Sequence, residues 1–268
     1  MIDNYALVNA IIAALLTAVA AGLMGVYIVI RRMVSISGSV AHASLSGVGL
    51  GIISGISPVF GALVLTPLAA FGMGAIIKKT KLPEDTAIGM LWASGMALGV
   101  LLAAIAGNTS DLATYLFGDI FAVSEGELIL MAVLDVVLLL AVARFYRELL
   151  SVSFDEEFSE IVGVPTIPIY FMLMVLTAIT VVIMLRAIGI ILVIALLAIP
   201  AALSRRLTHR LPKMMLLSFL LSAIFIYSGL FISYYFTLPS GAIISLICVG
   251  AFLGFLLARG KKRNMQIN

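Results

Sequence analysis

Charge is scarce in this chain. Only 11% of its 268 residues are Asp, Glu, Lys or Arg, against about 25% in a soluble domain, while 63% are hydrophobic. This balance excludes an ordinary soluble fold. The apolar stretches are long rather than short and alternating, which excludes a transmembrane barrel. What remains is an all-α, polytopic membrane helix bundle. Cysteine is nearly missing: Cys248 stands alone in an apolar run, so an internal disulfide or thiolate cluster is excluded and the residue reads as small core packing. Enzymatic signatures are missing too. No HExxH occurs, no paired acids share a depth, and Gly47-Val48-Gly49-Leu50-Gly51 lacks the Lys-Ser/Thr of a phosphate loop. The chain reads as a non-enzyme, and any ATP-driven function must borrow its ATPase. The net charge of +3 comes from residues that punctuate the apolar runs and form no patch, so nucleic acid is not an expected partner. Asp3, with no Lys or Arg before the first apolar run, argues against a cleaved signal peptide.

A span needs about 20 apolar residues. Uncharged runs place spans at 4–30; two within 33–77, split at 54–58; then 86–110, 127–146, 166–185 and 187–204; and two within 214–258, split at 237–240. That makes nine spans in a single domain covering 1–268, with eight as the alternative. The positive-inside rule orients them. With the N-terminus outside and the C-terminus cytoplasmic, every one of the sixteen Lys and Arg residues except Arg186 falls on the cytoplasmic side.

The densest charge interrupts the spans at 154–163. Asp155, Glu156, Glu157 and Glu160 lie there beside Phe154 and Phe158. The pattern predicts one short helix, capped by Ser153 with Glu156 at capping-box spacing, its acids on the favourable end of the helix dipole. Gly163 suits its C′ position and Pro165 stops it. Phe154, Phe158, Ile161 and Val162 fall on one face. Amphipathic helices that lie on lipid are usually basic, so an acidic one suits a basic, grooved protein; the plainer reading rests its apolar face on the spans.

Polar residues inside the spans are candidates for transport chemistry. Ser35, Ser39, His42 and Ser46 form one stripe on the second span, beside a small-residue strip of Ala43, Gly47 and Gly51 that permits close packing. Neutral imidazole ligates zinc or manganese; the plainer reading of His42 is a buried histidine bonded to a serine, and one histidine needs further ligands, such as a second copy in a symmetric dimer. Asp135 sits mid-span, either ligating a passing cation or pairing with Arg186. The loop 107–126, on the outer side, has Asp111, Asp119 and Glu125 and no basic residue, an entrance that would attract cations; Thr109 or Ser110 could cap a short helix there that ends at Gly118.

Three stretches resemble a known family. They are Arg31-Arg32-Met33 with SISGSVAHASLSGVGLG ending at Gly51; LPEDTAIGMLWASGMALG at 82–99 with Tyr115-Leu116-Phe117-Gly118; and FDEEFSEIVGVP at 154–165 with LRAIGIILVIALLAIPAALS at 185–204. The chain resembles the integral-membrane permease subunits of the bacterial and archaeal zinc/manganese ABC transporters across nearly its whole length. The resemblance implies a type II importer-like permease in the prokaryotic cell (inner) membrane, paired with a second copy of itself, two cytoplasmic ABC ATPase subunits and an extracytoplasmic metal-binding protein. It implies no permanently bound cofactor, and zinc or manganese as cargo. It assigns residues 154–163 to ATPase coupling, through Phe154, Asp155, Glu156, Glu157, Phe158, Glu160 and Gly163. It places His42 at the histidine of the family's Gly-Asp-x-x-x-His helix, but Gly38 stands at the aspartate and Ser37 at the glycine. The ligand set would then draw on Ser39, Ser46, Asp135 or Asp119, and the missing carboxylate leans towards zinc over manganese. Two other classes fit less well: a siderophore or vitamin ABC permease, and a secondary transporter with Asp135 and His42 as a proton relay.

Overall fold

The computed structural model describes residues 4–80, 82–107 and 110–264. Twelve helices run through them: α1 (Asn4–Ile30), α2 (Val34–Ser54), α3 (Pro58–Lys79), α4 (Glu84–Ile105), α5 (Ser110–Phe117), α6 (Glu125–Arg144), α7 (Tyr146–Phe154), α8 (Glu156–Ile161), α9 (Thr166–Ile188), α10 (Ile190–Leu207), α11 (Leu211–Phe236) and α12 (Ser240–Asn264). A 3₁₀ turn at Ile120–Ala122 links α5 to α6. Nine of the helices are long and apolar enough to cross a membrane among the described residues, as the nine-span reading expects. In lipid each backbone polar group must bond within its own segment, which is why long apolar runs become helices.

The boundaries depart from the sequence reading where turn chemistry intervenes. Helix α4 starts earlier and stops at Ile105, before Gly107 at φ 72°. Helix α6 starts at Glu125, where Ser124 and Glu127 form a reciprocal capping box, and it ends at Arg144. The span expected at 127–146 is therefore followed by a separate helix, α7, which the sequence reading missed. The reading of Thr109 as a cap lies outside the described residues, as does Asp3.

Helices α1, α2, α9 and α10 form the buried centre, with α3 and α4 against α2 and with α11 and α12 against α1 and α10. The small-residue strip sets the α2 contacts. A Cβ on Gly47 would lie 2.5 Å from the Ala62 Cα, and one on Gly99 2.5 Å from the Leu45 carbonyl oxygen. These are backbone-to-backbone approaches that only glycine admits. At one end of the bundle three chain segments meet just as closely. A Cβ on Gly241 would lie 2.5 Å from the carbonyl oxygens of Ile188 and Phe117, and Gly118 and Gly189 adopt φ 71° and 85°. The 3₁₀ turn is held there by Ser240 Oγ, which accepts from Ile120 N, and by Asn9, which donates to the Val123 carbonyl.

Candidate functional site

The polar stripe of α2 faces α3 and α4. Ser39, His42 and Ser46 are buried, whereas Ser35, in the first turn, is exposed, so the stripe is three residues long. Ser39 donates to the Ile36 carbonyl and approaches Met73 Sδ at 3.5 Å; Ser46 donates to the Ala43 carbonyl. Both hydroxyls thus direct their protons to their own helix and keep oxygen lone pairs free. The His42 ring stacks on Trp92 of α4, centroids 4.9 Å apart. Its Nδ1 is buried and has no hydrogen-bond partner. The reading of His42 as a histidine satisfied by a serine is therefore not what the structure holds. An unpartnered imidazole nitrogen in an apolar setting can take a cation or a donor. One turn earlier, a Cβ on Gly38 would lie 2.6 Å from Ile194 Cδ1. The tip of that α10 side chain lies over the position, and a side chain there would need it to swing aside. Trp92 and Ile194 carried no sequence signal, since only the packing brings them to α2.

Asp135 is 3% exposed and neither carboxylate oxygen has a hydrogen-bond partner. It lies on the buried face of α6 with Leu128, Met131 and Leu138, where α6 packs on α1 and α9. It does not pair with Arg186. That guanidinium sits 3.5 Å from Glu127 and donates to the Ala122 carbonyl, because α9 carries Arg186 to the glycine-lined end of the bundle rather than to mid-depth. Asp119 caps the 3₁₀ turn, accepting from Phe121 N at 3.0 Å, and its own N–H donates to the Arg186 carbonyl. Among the described residues no three of His, Cys, Asp and Glu form a metal-sized group. The structure brings Ser39, His42 and Ser46 onto one face and leaves Asp135 and Asp119 elsewhere; α6, which carries Asp135, packs on α1 and α9 rather than on α2.

The acidic interruption is an elbow of two helices, not one. Ser153 does not cap; it is buried inside α7. Asp155 breaks the helix in an extended conformation and caps α8 by accepting from Phe158 N at 2.9 Å. Asp and Ser cap about equally well; the chain breaks at Asp155, so its carboxylate is in reach of that N–H while Ser153 lies within α7. Ser151 and Ser159 bond across the elbow at 2.6 Å. Gly163, at φ 85°, ends α8 as the sequence predicts, with Val164 N donating to the Ser159 carbonyl. Leu149 and Val152 bury the inner side. The outer side is apolar and uncovered: Phe154 is 60% exposed, Phe158 58%, Ile161 82% and Val162 55%. These side chains do not rest on the spans. Asp155, Glu157 and Glu160 are exposed around them, but Glu156 turns inward. Its carboxylate takes Arg31 at 2.6 Å and Lys78 at 2.9 Å. Burial raises its pKa, but the hydrogen bonds and charges of Lys78 and Arg31 together outweigh this and hold it below its usual value of 4.5.

Comparison with known proteins gives this geometry a family. Residues 3–259 match the model of the ABC 3 transport family. An uncharacterized membrane protein of Synechocystis is 42% identical over 246 residues, covering 91% of this chain and 88% of that protein. The manganese transport system membrane protein MntC of Listeria monocytogenes is 34% identical, covering 93% and 90%, and the manganese import system permease protein ScaB of Streptococcus parasanguinis is 35% identical, covering 96% and 92%. Among solved structures, PsaBC from Streptococcus pneumoniae in complex with Fab superposes with a TM-score of 0.86 at 34% identity, over 94% of this chain and 91% of that one. The chain is a multi-pass integral membrane protein of the bacterial cell membrane and belongs to the ABC 3 transport family, among its metal-transport permeases.

Proposed function

We propose that the chain is the permease subunit of an ATP-driven importer for a divalent transition metal, working as a dimer with two cytoplasmic ATPase subunits and an extracytoplasmic metal-binding protein. The observation that carries this reading is the uncovered elbow. Four apolar side chains ringed by Asp155, Glu157 and Glu160 stand at the end of the bundle that also carries Arg31, Lys78 and Arg205. By the positive-inside rule that end is cytoplasmic, which puts 154–163 on the ATPase side and 107–126 on the outer side. An acidic rim around an aromatic centre fits a basic groove. Metal delivered outside enters past Asp119 and reaches His42, with Ser39 and Ser46 as weak oxygen donors and Asp135 as a further candidate on the path. Two metals are in contention for opposite reasons. The missing carboxylate at Gly38 favours zinc, since manganese prefers carboxylate oxygen; relatives whose names state manganese favour manganese.

The test is uptake into proteoliposomes holding the permease with its ATPase and binding protein, using radiolabelled zinc and manganese in competition. ATP-dependent uptake of one or both metals is expected. Uptake that persists without ATP and follows an imposed proton gradient would overturn the reading in favour of a secondary transporter.

A further inference from the structure

Three tight contacts converge on the turn between α1 and α2. Met33 N donates to the Ile28 carbonyl, and Arg32 sits at φ 59°. This is a left-handed helix ending normally given to glycine, adopted here by an arginine against its backbone preference. The turn is therefore short and held by its surroundings. Arg31 holds it: one guanidinium nitrogen donates to the Val152 carbonyl of α7 at 2.7 Å and the other to Glu156 of α8 at 2.6 Å. Lys78, at the end of α3, grips the other Glu156 oxygen at 2.9 Å and lies over the Tyr170 ring of α9. The Glu156 carboxylate thus joins the elbow to α3 and, beside the Arg31–Val152 bond, to α2 through the turn. Helix α2 continues from that turn without a break to His42, about 12 Å along the rod at 1.5 Å per residue. Beside the junction lies a cleft of about 440 Å³, lined by Arg32, Met33, Ile36, Lys78, Glu84 and Tyr170 among others. It gives the turn room to shift.

We propose that Glu156, Arg31 and Lys78 are positioning residues for transport: they fasten the α7–α8 elbow to α2, so that displacement of the elbow by a docked ATPase moves the helix that carries His42. The inference rests on the reading of the elbow as the ATPase-docking surface. Glu156 faces inward while Phe158, Glu157 and Glu160 face outward, so docking and transmission are divided between neighbouring residues of one turn. The covalent paths from the elbow lead to α6 and to α9; the carboxylate adds α3 and strengthens the tie to α2. The division means that the two roles fail separately.

The experiment uses the permease with its ATPase subunits and binding protein in lipid nanodiscs and proteoliposomes. It carries Ser35→Cys as a fluorescent reporter on the exposed first turn of α2, in a Cys248→Ser background. Glu156→Gln keeps the shape and removes the charge. The expected result is undiminished copurification of the ATPase and retained basal ATP hydrolysis. Metal uptake per ATP should fall by on the order of tenfold, the scale of one lost charge-assisted bond, and the ATP-dependent change at the reporter should be lost. Lys78→Gln, which removes the more exposed partner, should give a smaller loss in the same direction and covers the case in which Glu156→Gln does not fold. Glu156→Asp, which keeps the charge, should recover part of the coupling; a role in folding alone would not separate these variants by uptake per ATP. Unchanged uptake per ATP and an unchanged reporter response in Glu156→Gln would overturn the proposal while leaving docking intact. Failure of the parental permease to retain the ATPase would instead overturn the docking reading, and this one with it.

Discussion

Phe158→Ala isolates the uncovered face of the elbow. Burying a whole phenylalanine side chain is worth about 1.5–3 kcal/mol. Phe158 is 58% exposed in the free permease, so a groove can remove roughly three-fifths of that surface, about 1–2 kcal/mol and a factor of about 5–30 in affinity at each site. The substitution leaves the local fold alone. The Asp155 cap uses the backbone N–H of Phe158, alanine is the better helix former, and the inner contacts of Leu149 and Val152 are untouched. Binding of the ATPase to nanodisc-embedded permease, measured by biolayer interferometry, should weaken by that factor, with most of the change in dissociation rate. Ile129→Ala, at an exposed apolar position near the other end of the bundle, should leave it unchanged. An unaltered affinity for Phe158→Ala would refute the docking argument.

Three further outcomes follow from single contacts. Gly47→Ala places a Cβ 2.5 Å from the Ala62 backbone, so α2 and α3 must separate; overpacking of this kind costs about 1–3 kcal/mol, read as a lowered thermal unfolding midpoint in detergent, and an unchanged midpoint contradicts the packing. His42→Ala should reduce metal uptake to background while the complex still assembles by size-exclusion chromatography; full uptake would remove His42 from the path. Glu156 has its pKa lowered in the folded chain, so its ion pairs contribute fully above the usual glutamate range near 4.5 and are lost only as pH falls through the lower folded value. ATP-coupled uptake should accordingly keep its Glu156-dependent part down to about pH 5 and lose it below the usual value; loss already between pH 7 and 6 would mean that another group governs coupling.

Much of the fold was legible in the residues alone. Long uncharged runs become membrane-crossing helices because the bilayer leaves no other way to satisfy the backbone, and turn residues such as Gly163 mark ends by local sterics. The small strip of Ala43, Gly47 and Gly51 announced close packing for the same reason. Local signals failed at the elbow. The pattern put the cap at Ser153, but the chain breaks two residues later, so Ser153 and Val152 are buried in α7 and Asp155 takes the cap. Sign alone left open whether Asp135 pairs with Arg186 or serves a passing cation. Asp135 and Arg186 have complementary signs, but pairing needs a common depth, which helix length and offset decide.

The candidate site divides the same way. A histidine and two hydroxyls at helical spacing must share a face, because 3.6 residues per turn leaves no alternative, and so Ser39, His42 and Ser46 were placed by the sequence itself. Which neighbours that face would meet depended on how the helices stack. Only the tertiary structure put Trp92 against His42, laid the tip of Ile194 over Gly38, and turned Glu156 inward to Arg31 and Lys78 while its neighbours stayed outside. Those contacts join residues up to 156 positions apart in sequence, and no periodicity along one chain encodes which distant side chain will occupy a given space.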